Sequence, residues 1–195
     1  MKTEKITVTE EMLSTLRESV GAYQTGKRYN HTLAVEREAK ALGELFLPEE
    51  VNRLRAAALL HDITKNKDDK WQNDYLSHFM AQDLCACGSA VLHSWSGAYF
   101  ALENYFVNPR IFRAIFNHTT GCADMDVFEK IIFLADYIEP LRTHESCTRL
   151  REKYLELVKD KVDSKNRAEE ILDCLVLQSL NDTYSFLSSK GAPIC

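Results

Sequence analysis

Two aspartates stand in stretches of sequence that are otherwise largely apolar. Asp62 follows His61 near the end of RAAALLHDITK (residues 55–65), and Asp136 lies in IIFLADYIE (residues 131–139). An ionised carboxylate in an apolar helix is costly unless it is paired with a cation. Two such carboxylates also repel each other, and a divalent metal ion between them removes that repulsion. We therefore predict that both aspartates bind metal.

Four of the six histidines supply matching donors. His31, His61, His93 and His118 are predicted to lie at helix boundaries, where loops bring side chains into a shared cleft. Imidazole and carboxylate donors together suit iron, manganese or zinc. Consecutive residues of a helix point about 100° apart, so His61 and Asp62 can share one ion only if it lies beside the end of their helix.

Helical periodicity dominates the chain, and the sequence contains no alternating strand pattern of any length. This pattern predicts an all-α protein. Thr9 and Asn30 are the expected N-caps of the first two helices, and Asp126 opens a capping box. The segment between residues 65 and 70 is predicted to be a solvated loop. The predicted helices cover residues 10–25, 30–46, 49–64, 75–87, 96–106, 109–118 and 126–140, and two more lie within 148–188, separated at 164–166.

Length and charge narrow the class of protein. The 195 residues are enough for one domain with its own core. Within it, a motif-bearing part spans about residues 24–145 and C-terminal helices span about 148–190. The net charge of −5 argues against nucleic-acid binding, which needs a basic surface. The sequence contains neither a signal peptide nor an apolar run long enough to span a bilayer. We expect a cytoplasmic protein without a membrane partner.

The six cysteines are expected to be free thiols in a reducing compartment. Cys85 and Cys87 form a Cys-x-Cys pair, but the sequence has no second pair at zinc-site spacing. We interpret these two residues as small buried side chains and not as metal ligands.

Five stretches carry a resemblance to a known family: RYNHTL, AALLHDITK, LHSWSGA, AIFNHTTG and LADYIEPLR. In this order they resemble the HD-domain phosphohydrolases, and the chain is similar to the YqeK group of that family over most of its length. The resemblance implies an HD-type helical bundle with a metal site in its centre. It also implies a homodimer that binds iron, as one or two ions, and hydrolyses diadenosine tetraphosphate symmetrically to two ADP. Manganese or another divalent metal is an alternative to iron.

The resemblance also assigns site residues. The core metal ligands it implies are His31, His61, Asp62 and Asp136. His93 and His118 match two further histidines that hold a second metal in some HD proteins.

Substrate contacts follow from the same resemblance. Lys65 matches a lysine that lies near the phosphate, and Arg28 and Arg142 match basic positions that we assign to polyphosphate oxygens. Thr119 and Thr120 are candidate hydroxyl donors to the same group.

The expected mechanism is hydrolysis of a phosphoanhydride by a metal-bound hydroxide. Asp62 or His93 would orient or deprotonate the water. Lys65, Arg28 and His118 would offset the charge that builds on the phosphoryl oxygens and the leaving group.

The chain departs from the family at several positions. Residues 93–98 read HSWSGA where the family usually has His-Gly-Pro-Val-Gly-Ala. Loss of the glycine and proline changes the expected loop, and Trp95 is expected to be able to reshape the pocket. Ala34 stands where a glycine is common, and THESC follows Arg142 in place of a turn with proline and glycine.

Simpler interpretations stay open at this point. His31 and His118 taken singly are typical of satisfied histidines at helix ends, and Lys65 is typical of a solvated lysine in a last turn. Arg28 is equally consistent with a surface charge. Three other functions are also consistent with this residue set: a nucleotidase acting on mononucleotides, a di-iron oxygenase and a nucleotide-binding protein without catalytic activity.

Overall fold

A computed structural model describes residues 7–79, 89–105, 107–159, 165–192 and 194. Within those ranges the chain is helical and has no β-strand, which confirms the all-α prediction. None of the helices described there is long and apolar enough to cross a membrane. A 3₁₀ turn covers Pro48–Glu50, and the α-helices are α1 (Glu10–Tyr23), α2 (Gly26–Phe46), α3 (Val51–Leu60), α4 (Asp69–Leu76), α5 (Ser89–Asn104), α6 (Pro109–Asn117), α7 (Val127–Ile138), α8 (Glu145–Leu157) and α9 (Lys165–Lys190).

Helix α7 is the centre of the core. It packs against α2, α3, α6, α8 and α9, and residues such as Ile131, Leu134 and Ile138 have no exposed surface. The predicted capping box starts this helix: Asp126 accepts a hydrogen bond from the Glu129 backbone N–H, and Glu129 accepts one from that of Asp126. Capping and burial together fix the helix that carries the second aspartate of the site.

Helix α2 begins at Gly26 and not at Asn30 as predicted. Gly26 has a φ of 56°, a left-handed conformation that glycine adopts without strain, and Thr25 before it is extended. These two residues reverse the chain directly after α1, so α2 starts one turn early. His31 therefore lies inside α2 and not at its start.

The charged segment after α3 contains a helix start that the pattern did not indicate. The carboxylate of Asp68 accepts a hydrogen bond from the Trp71 backbone N–H at 2.8 Å, and α4 begins at Asp69 and not at Tyr75. The predicted end of this helix, with Cys85 and Cys87, lies outside the described residues. The described cysteines Cys122, Cys147 and Cys174 are free, as expected.

Helix α5 includes Ser89 and therefore begins well before the predicted start at Ser96. Residues 94–96 contain neither the glycine nor the proline usual in the family, so nothing there interrupts the helix. His93 consequently lies within a helix and not at a boundary.

Trp95 is buried and stacks on Phe116 with ring centroids 5.9 Å apart. It is not among the residues that line the cleft described below, so direct contact with the cleft gives no support to the expected reshaping of the pocket.

The remaining predicted boundaries agree more closely. Helix α3 ends at Leu60, so His61 caps it and residues 61–66 form turns. Helix α6 starts with Pro109 and ends before His118. Two C-terminal helices are present, and α9 begins at Lys165, within the predicted break.

Candidate metal centre

Five helices bring the predicted ligands to one place. His31 lies on α2, the His61-Asp62 pair follows α3, and the others belong to α5, α6 and α7. Their donor atoms form three overlapping groups, each with atoms within 4.8 Å of one another: His31, His61 and Asp62; His61, His118 and Asp136; Asp62, His93 and His118. All six predicted ligands thus belong to one cluster, although only two of the four histidines are at helix boundaries.

Asp62 lies between two pairs of histidines. Its Oδ2 atom is 3.7 Å from Nε2 of His31 and 3.5 Å from Nε2 of His61. Its Oδ1 atom is 3.2 Å from Nε2 of His93 and 3.7 Å from Nε2 of His118. Each carboxylate oxygen therefore faces its own pair of imidazoles.

Asp136 lies next to the first histidine pair, His31 and His61. Its Oδ1 atom is 3.1 Å from Nε2 of His31 and 3.8 Å from Nε2 of His61. His61 Nε2 is fully buried and has no hydrogen-bond partner among the described residues. A buried polar atom without a partner is costly, and a cation at this position would satisfy it.

Backbone carbonyls fix the orientation of two of the imidazoles. Nδ1 of His61 lies 2.6 Å from the Ala58 carbonyl, and Nδ1 of His118 lies 2.7 Å from the Ile115 carbonyl. In both residues the ring donates to the carbonyl three residues earlier, which leaves Nε2 as the atom with a free lone pair. Both helix ends thus present Nε2 to the centre.

The pKa shifts of three of these residues, His61, His93 and Asp136, favour the forms that bind metal. Burial lowers the pKa of His61 to about 4 and lowers the pKa of His93 well below its usual range, so both rings are neutral. Burial also acts to lower the pKa of His31, but the neighbouring carboxylates, Asp136 foremost, outweigh it and raise that pKa. Although burial alone would raise the pKa of Asp136, Arg142 and His31 hold it well below its usual range. Neutral imidazole and ionised carboxylate are the forms that ligate metals.

Three cationic side chains surround the cluster. Arg28 donates a hydrogen bond to Asp62 Oδ2 at 2.5 Å, and Arg142 donates one to Asp136 Oδ1 at 2.5 Å. Lys65 Nζ lies 3.0 Å from Nδ1 of His93, and burial lowers the pKa of this lysine. All three cationic side chains predicted to bind phosphate are therefore next to predicted ligands.

Five of the six clustered side chains, all except His61, line a cleft of about 890 Å³. Besides the predicted ligands and cations, the cleft is lined by residues such as Lys27, Asn30, Asn66, Phe133, Tyr137, Leu141 and Thr183. Thr119 also lines it, with its hydroxyl 3.2 Å from Nε2 of His93. Thr120 is not among the lining residues, and its hydroxyl donates to the Gly121 carbonyl. The position of Thr119 supports a substrate contact, whereas that of Thr120 does not.

A protein-family model for the HD domain matches residues 28–141, which include all six clustered side chains. The chain belongs to the HD domain family. Two curated relatives are symmetrical bis(5'-nucleosyl)-tetraphosphatases. The one from Halalkalibacterium halodurans is 32% identical over 177 residues, which is 90% of this chain and 87% of that protein. The one from Staphylococcus aureus is 36% identical over 128 residues, which is 65% of this chain and 66% of that protein.

A solved structure has the same fold. It is the crystal structure of a protein from Clostridium acetobutylicum described as a predicted HD superfamily hydrolase involved in NAD metabolism. The two structures match with a TM-score of 0.76 and 25% sequence identity, over 93% of this chain and 90% of the other. The likeness therefore extends beyond the HD domain to nearly the whole chain.

Two residues that support the HD centre were not predicted. Glu139 is buried, and its Oε1 atom lies 3.1 Å from Nδ1 of His31. Gln24 is buried as well, donates a hydrogen bond to the Asp62 carbonyl at 2.7 Å and accepts one from the Thr32 hydroxyl at 2.6 Å. The position of Glu139, three residues after Asp136 and directly after the last residue of α7, was a usable signal. For Gln24 the sequence offers none.

Proposed function

We propose that this HD domain is a metal-dependent phosphohydrolase that cleaves diadenosine tetraphosphate symmetrically to two ADP. The observation that carries this proposal is the position of Asp62 between two histidine pairs at the base of a cleft lined by cations. Similarity to symmetrical bis(5'-nucleosyl)-tetraphosphatases over most of the chain supports the choice of substrate.

The donor set supports a divalent transition metal as the cofactor. Four imidazoles and two carboxylates suit iron, manganese or another divalent metal, and the resemblance to the HD-domain phosphohydrolases favours iron among them. The way in which Asp62 divides its oxygens between two histidine pairs favours two ions over one. When bound, divalent cations activate water as a nucleophile at neutral pH and withdraw charge from phosphoryl oxygens.

The cationic residues supply the rest of the charge balance. A tetraphosphate bridge carries about four negative charges, and hydrolysis adds charge to the leaving ADP. Arg28 and Arg142 contact the carboxylates of Asp62 and Asp136, and both side chains line the cleft, where they can bind phosphate oxygens. Lys65 is the cation next to His93, where it offsets charge on the phosphoryl group under attack.

Proton transfer is assigned to the same cluster. We assign the orientation or deprotonation of the attacking water to Asp62 or His93, whose Oδ1 and Nε2 atoms lie 3.2 Å apart, and the atom that accepts the proton is one that holds no ion during turnover. His118 stands beside them, with its Nε2 3.2 Å from that of His93, and stabilises the leaving group. The Thr119 hydroxyl donates a hydrogen bond to the oxygens of the phosphoryl group under attack.

The test of this proposal is a substrate panel with metal-loaded protein. We expect ADP as the product from diadenosine tetraphosphate, slow or no phosphate release from AMP and ADP, and no requirement for dioxygen or reductant. Both His61→Ala and Asp62→Ala should abolish turnover. Release of phosphate from mononucleotides would indicate the nucleotidase, dependence on dioxygen would indicate the oxygenase, and ADP binding without turnover would indicate a sensor.

A homodimer is the assembly that we propose. Leu177 and Tyr184 lie two turns apart on one face of α9. Leu177 is 61% exposed and Tyr184 is 58% exposed. A pair of large exposed apolar side chains on one helix supports a contact with a second copy. Light scattering should give twice the monomer mass, and Leu177→Glu should return the protein to the monomer.

A further inference from the structure

A buried hydroxyl joins the turn after α3 to helix α5. Thr64 lies two residues after Asp62 in that turn, and its hydroxyl donates a hydrogen bond to the His93 backbone carbonyl at 3.0 Å. We infer that Thr64 is a positioning residue, whose hydroxyl keeps His93 at the distance from Asp62 that the second histidine pair, His93 and His118, needs to bind an ion. This inference rests on the proposed function, because it concerns the second of the two ions proposed there.

The bond from Thr64 is additional to the hydrogen bonds of the helix itself. A carbonyl oxygen has two lone pairs, and in an α-helix the His93 carbonyl accepts the backbone N–H of Gly97, four residues later. Thr64 and His93 are both buried, so a hydroxyl that lost this acceptor would leave a buried group without a water partner. The Thr64 hydroxyl therefore fastens the helix backbone to the turn at the residue that carries the imidazole.

Gly97 lets α5 lie close to this turn. A Cβ atom at position 97 would be 3.3 Å from Thr64 Oγ1 and 3.4 Å from the His61 carbonyl oxygen. A side chain there would have to push the helix or the turn back by a few tenths of an ångström. Glycine weakens the interior of a helix, and the close approach of the turn accounts for its presence at this position.

The position of α5 bears on one histidine pair and not on the other. His93 Nε2 is 3.2 Å from Asp62 Oδ1, and metal sites tolerate errors of about 0.2 Å in ligand distances. In the first pair, His31 belongs to α2 and His61 follows α3. A displacement of α5 should therefore weaken the ion of the second pair and spare that of the first.

Asp62 is held by contacts that do not involve Thr64. Gln24 donates a hydrogen bond to the Asp62 carbonyl at 2.7 Å, and Arg28 donates one to Asp62 Oδ2 at 2.5 Å. Loss of the Thr64 hydroxyl should thus release the backbone at His93 while Asp62 keeps its place.

Ser96 provides a control that separates positioning from stability. Its hydroxyl lies 2.8 Å from that of Thr64 and donates to Gln72 Oε1 at 3.0 Å. Ser96→Val removes a hydrogen bond from the same buried network but leaves the bond from Thr64 to the His93 carbonyl. We expect this variant to lose stability and to keep both metal affinities.

Titration of the metal-depleted full chain with Mn²⁺, with the free ion followed by electron paramagnetic resonance, tests the positioning role. His118→Ala removes a member of the second pair and so identifies which dissociation constant belongs to that pair. Thr64→Val keeps the shape of threonine without its hydroxyl, and we expect it to raise this constant about 10- to 100-fold while the other changes by less than about twofold. Thr64→Ser retains a hydroxyl and should restore binding.

Gly97→Ala is a second variant that acts on the same contact from the other side. It keeps the Thr64 hydroxyl but displaces α5, so it should raise the same dissociation constant. If Thr64→Val does not fold, the result with Gly97→Ala decides.

The outcomes separate as follows. A rise confined to the constant of the second pair, reversed in Thr64→Ser and absent in Ser96→Val, supports the positioning role. Unchanged constants, an equal rise in both, an equal effect in Ser96→Val, or a single Mn²⁺ bound by the wild type overturns it. Because metal binding is the readout, a selective loss supports the role of Thr64 even where diadenosine tetraphosphate is not hydrolysed, and in that case only the proposed reaction fails.

Discussion

The carboxylate of Glu139 joins His31 to the loop at the mouth of the cleft. One oxygen lies 3.1 Å from Nδ1 of His31, and the other accepts the Leu141 backbone N–H at 2.6 Å. A carboxylate behind a ligating histidine fixes the ring orientation and raises its basicity. The same side chain therefore couples a predicted metal ligand to the predicted substrate-binding loop.

Replacing Glu139 by glutamine should weaken metal binding without removing a ligand. We expect metal affinity to fall about 10- to 100-fold, the usual effect of losing such a partner. Competition with a chromogenic chelator measures this directly. Glu145→Gln, at the exposed start of α8, should leave the affinity unchanged. Equal affinities for Glu139→Gln and wild type would remove Glu139 from the account of the centre.

Metal stoichiometry should depend on which histidine pair is altered. We expect two ions per chain in the wild type and one in His118→Ala, because only the pair that faces Asp62 Oδ1 is lost. Asp62→Asn should retain neither ion firmly, since this carboxylate faces both pairs. Elemental analysis of dialysed protein measures the content. One ion in both wild type and His118→Ala would show that the second histidine pair binds no metal.

The cations should affect turnover more than folding. Lys65→Met and Arg142→Met each remove a charge assigned to phosphate, and we expect kcat/KM to fall about 10²- to 10³-fold. Steady-state kinetics with diadenosine tetraphosphate gives the values. The matched control is Arg149→Met, because Arg149 pairs with Asp182 at 2.9 Å on the surface between α8 and α9. Loss of activity in the control equal to that in the other two variants would contradict a local role for the charge.

Ser96 stands where the family usually has valine, and its hydroxyl is part of a buried network of hydroxyl groups. The Ser96 hydroxyl lies 2.8 Å from that of Thr64 and donates to Gln72 Oε1 at 3.0 Å, and Thr64 donates to the His93 carbonyl at 3.0 Å. Ser96→Val should lower the free energy of unfolding by about 1–3 kcal/mol, because buried partners lose a hydrogen bond.

Urea denaturation at constant metal concentration tests this expectation. Ser94→Ala is the control, since the Ser94 hydroxyl donates to the Val91 carbonyl of its own helix at 2.8 Å. It should cost less than about 1 kcal/mol. A Ser96→Val variant as stable as wild type would mean that the network contributes nothing to stability.

The members of the cluster were predictable because their residue types conflict with their surroundings. Asp62 and Asp136 stand in apolar runs, and burial of a charge requires a partner. The cluster in the structure unites them with the four predicted histidines. The predicted helix boundaries next to two of the histidines were wrong. Gly26 lets α2 start before His31, and α5 continues through His93. Boundaries of this kind depend on single turn residues whose conformation the periodicity does not report.

Supporting residues were harder to predict for a different reason. Gln24 contacts the backbone of a residue 38 positions away, and any polar side chain of suitable length has the same local pattern. Arg151 was equally hard to predict. Its side chain on α8 donates a hydrogen bond to the Ile138 carbonyl at the end of α7. In the sequence, however, an arginine on an amphipathic helix is indistinguishable from a surface charge. Such contacts follow from the packing of helices and not from local sequence.

The most direct test of the account is one turnover of diadenosine tetraphosphate in ¹⁸O-labelled water, with products resolved by mass spectrometry. Symmetrical hydrolysis predicts ADP as the only nucleotide, with one labelled oxygen for each pair of ADP molecules, and no product from Asp62→Asn. Formation of ATP and AMP, or ADP production undiminished in Asp62→Asn, would contradict it.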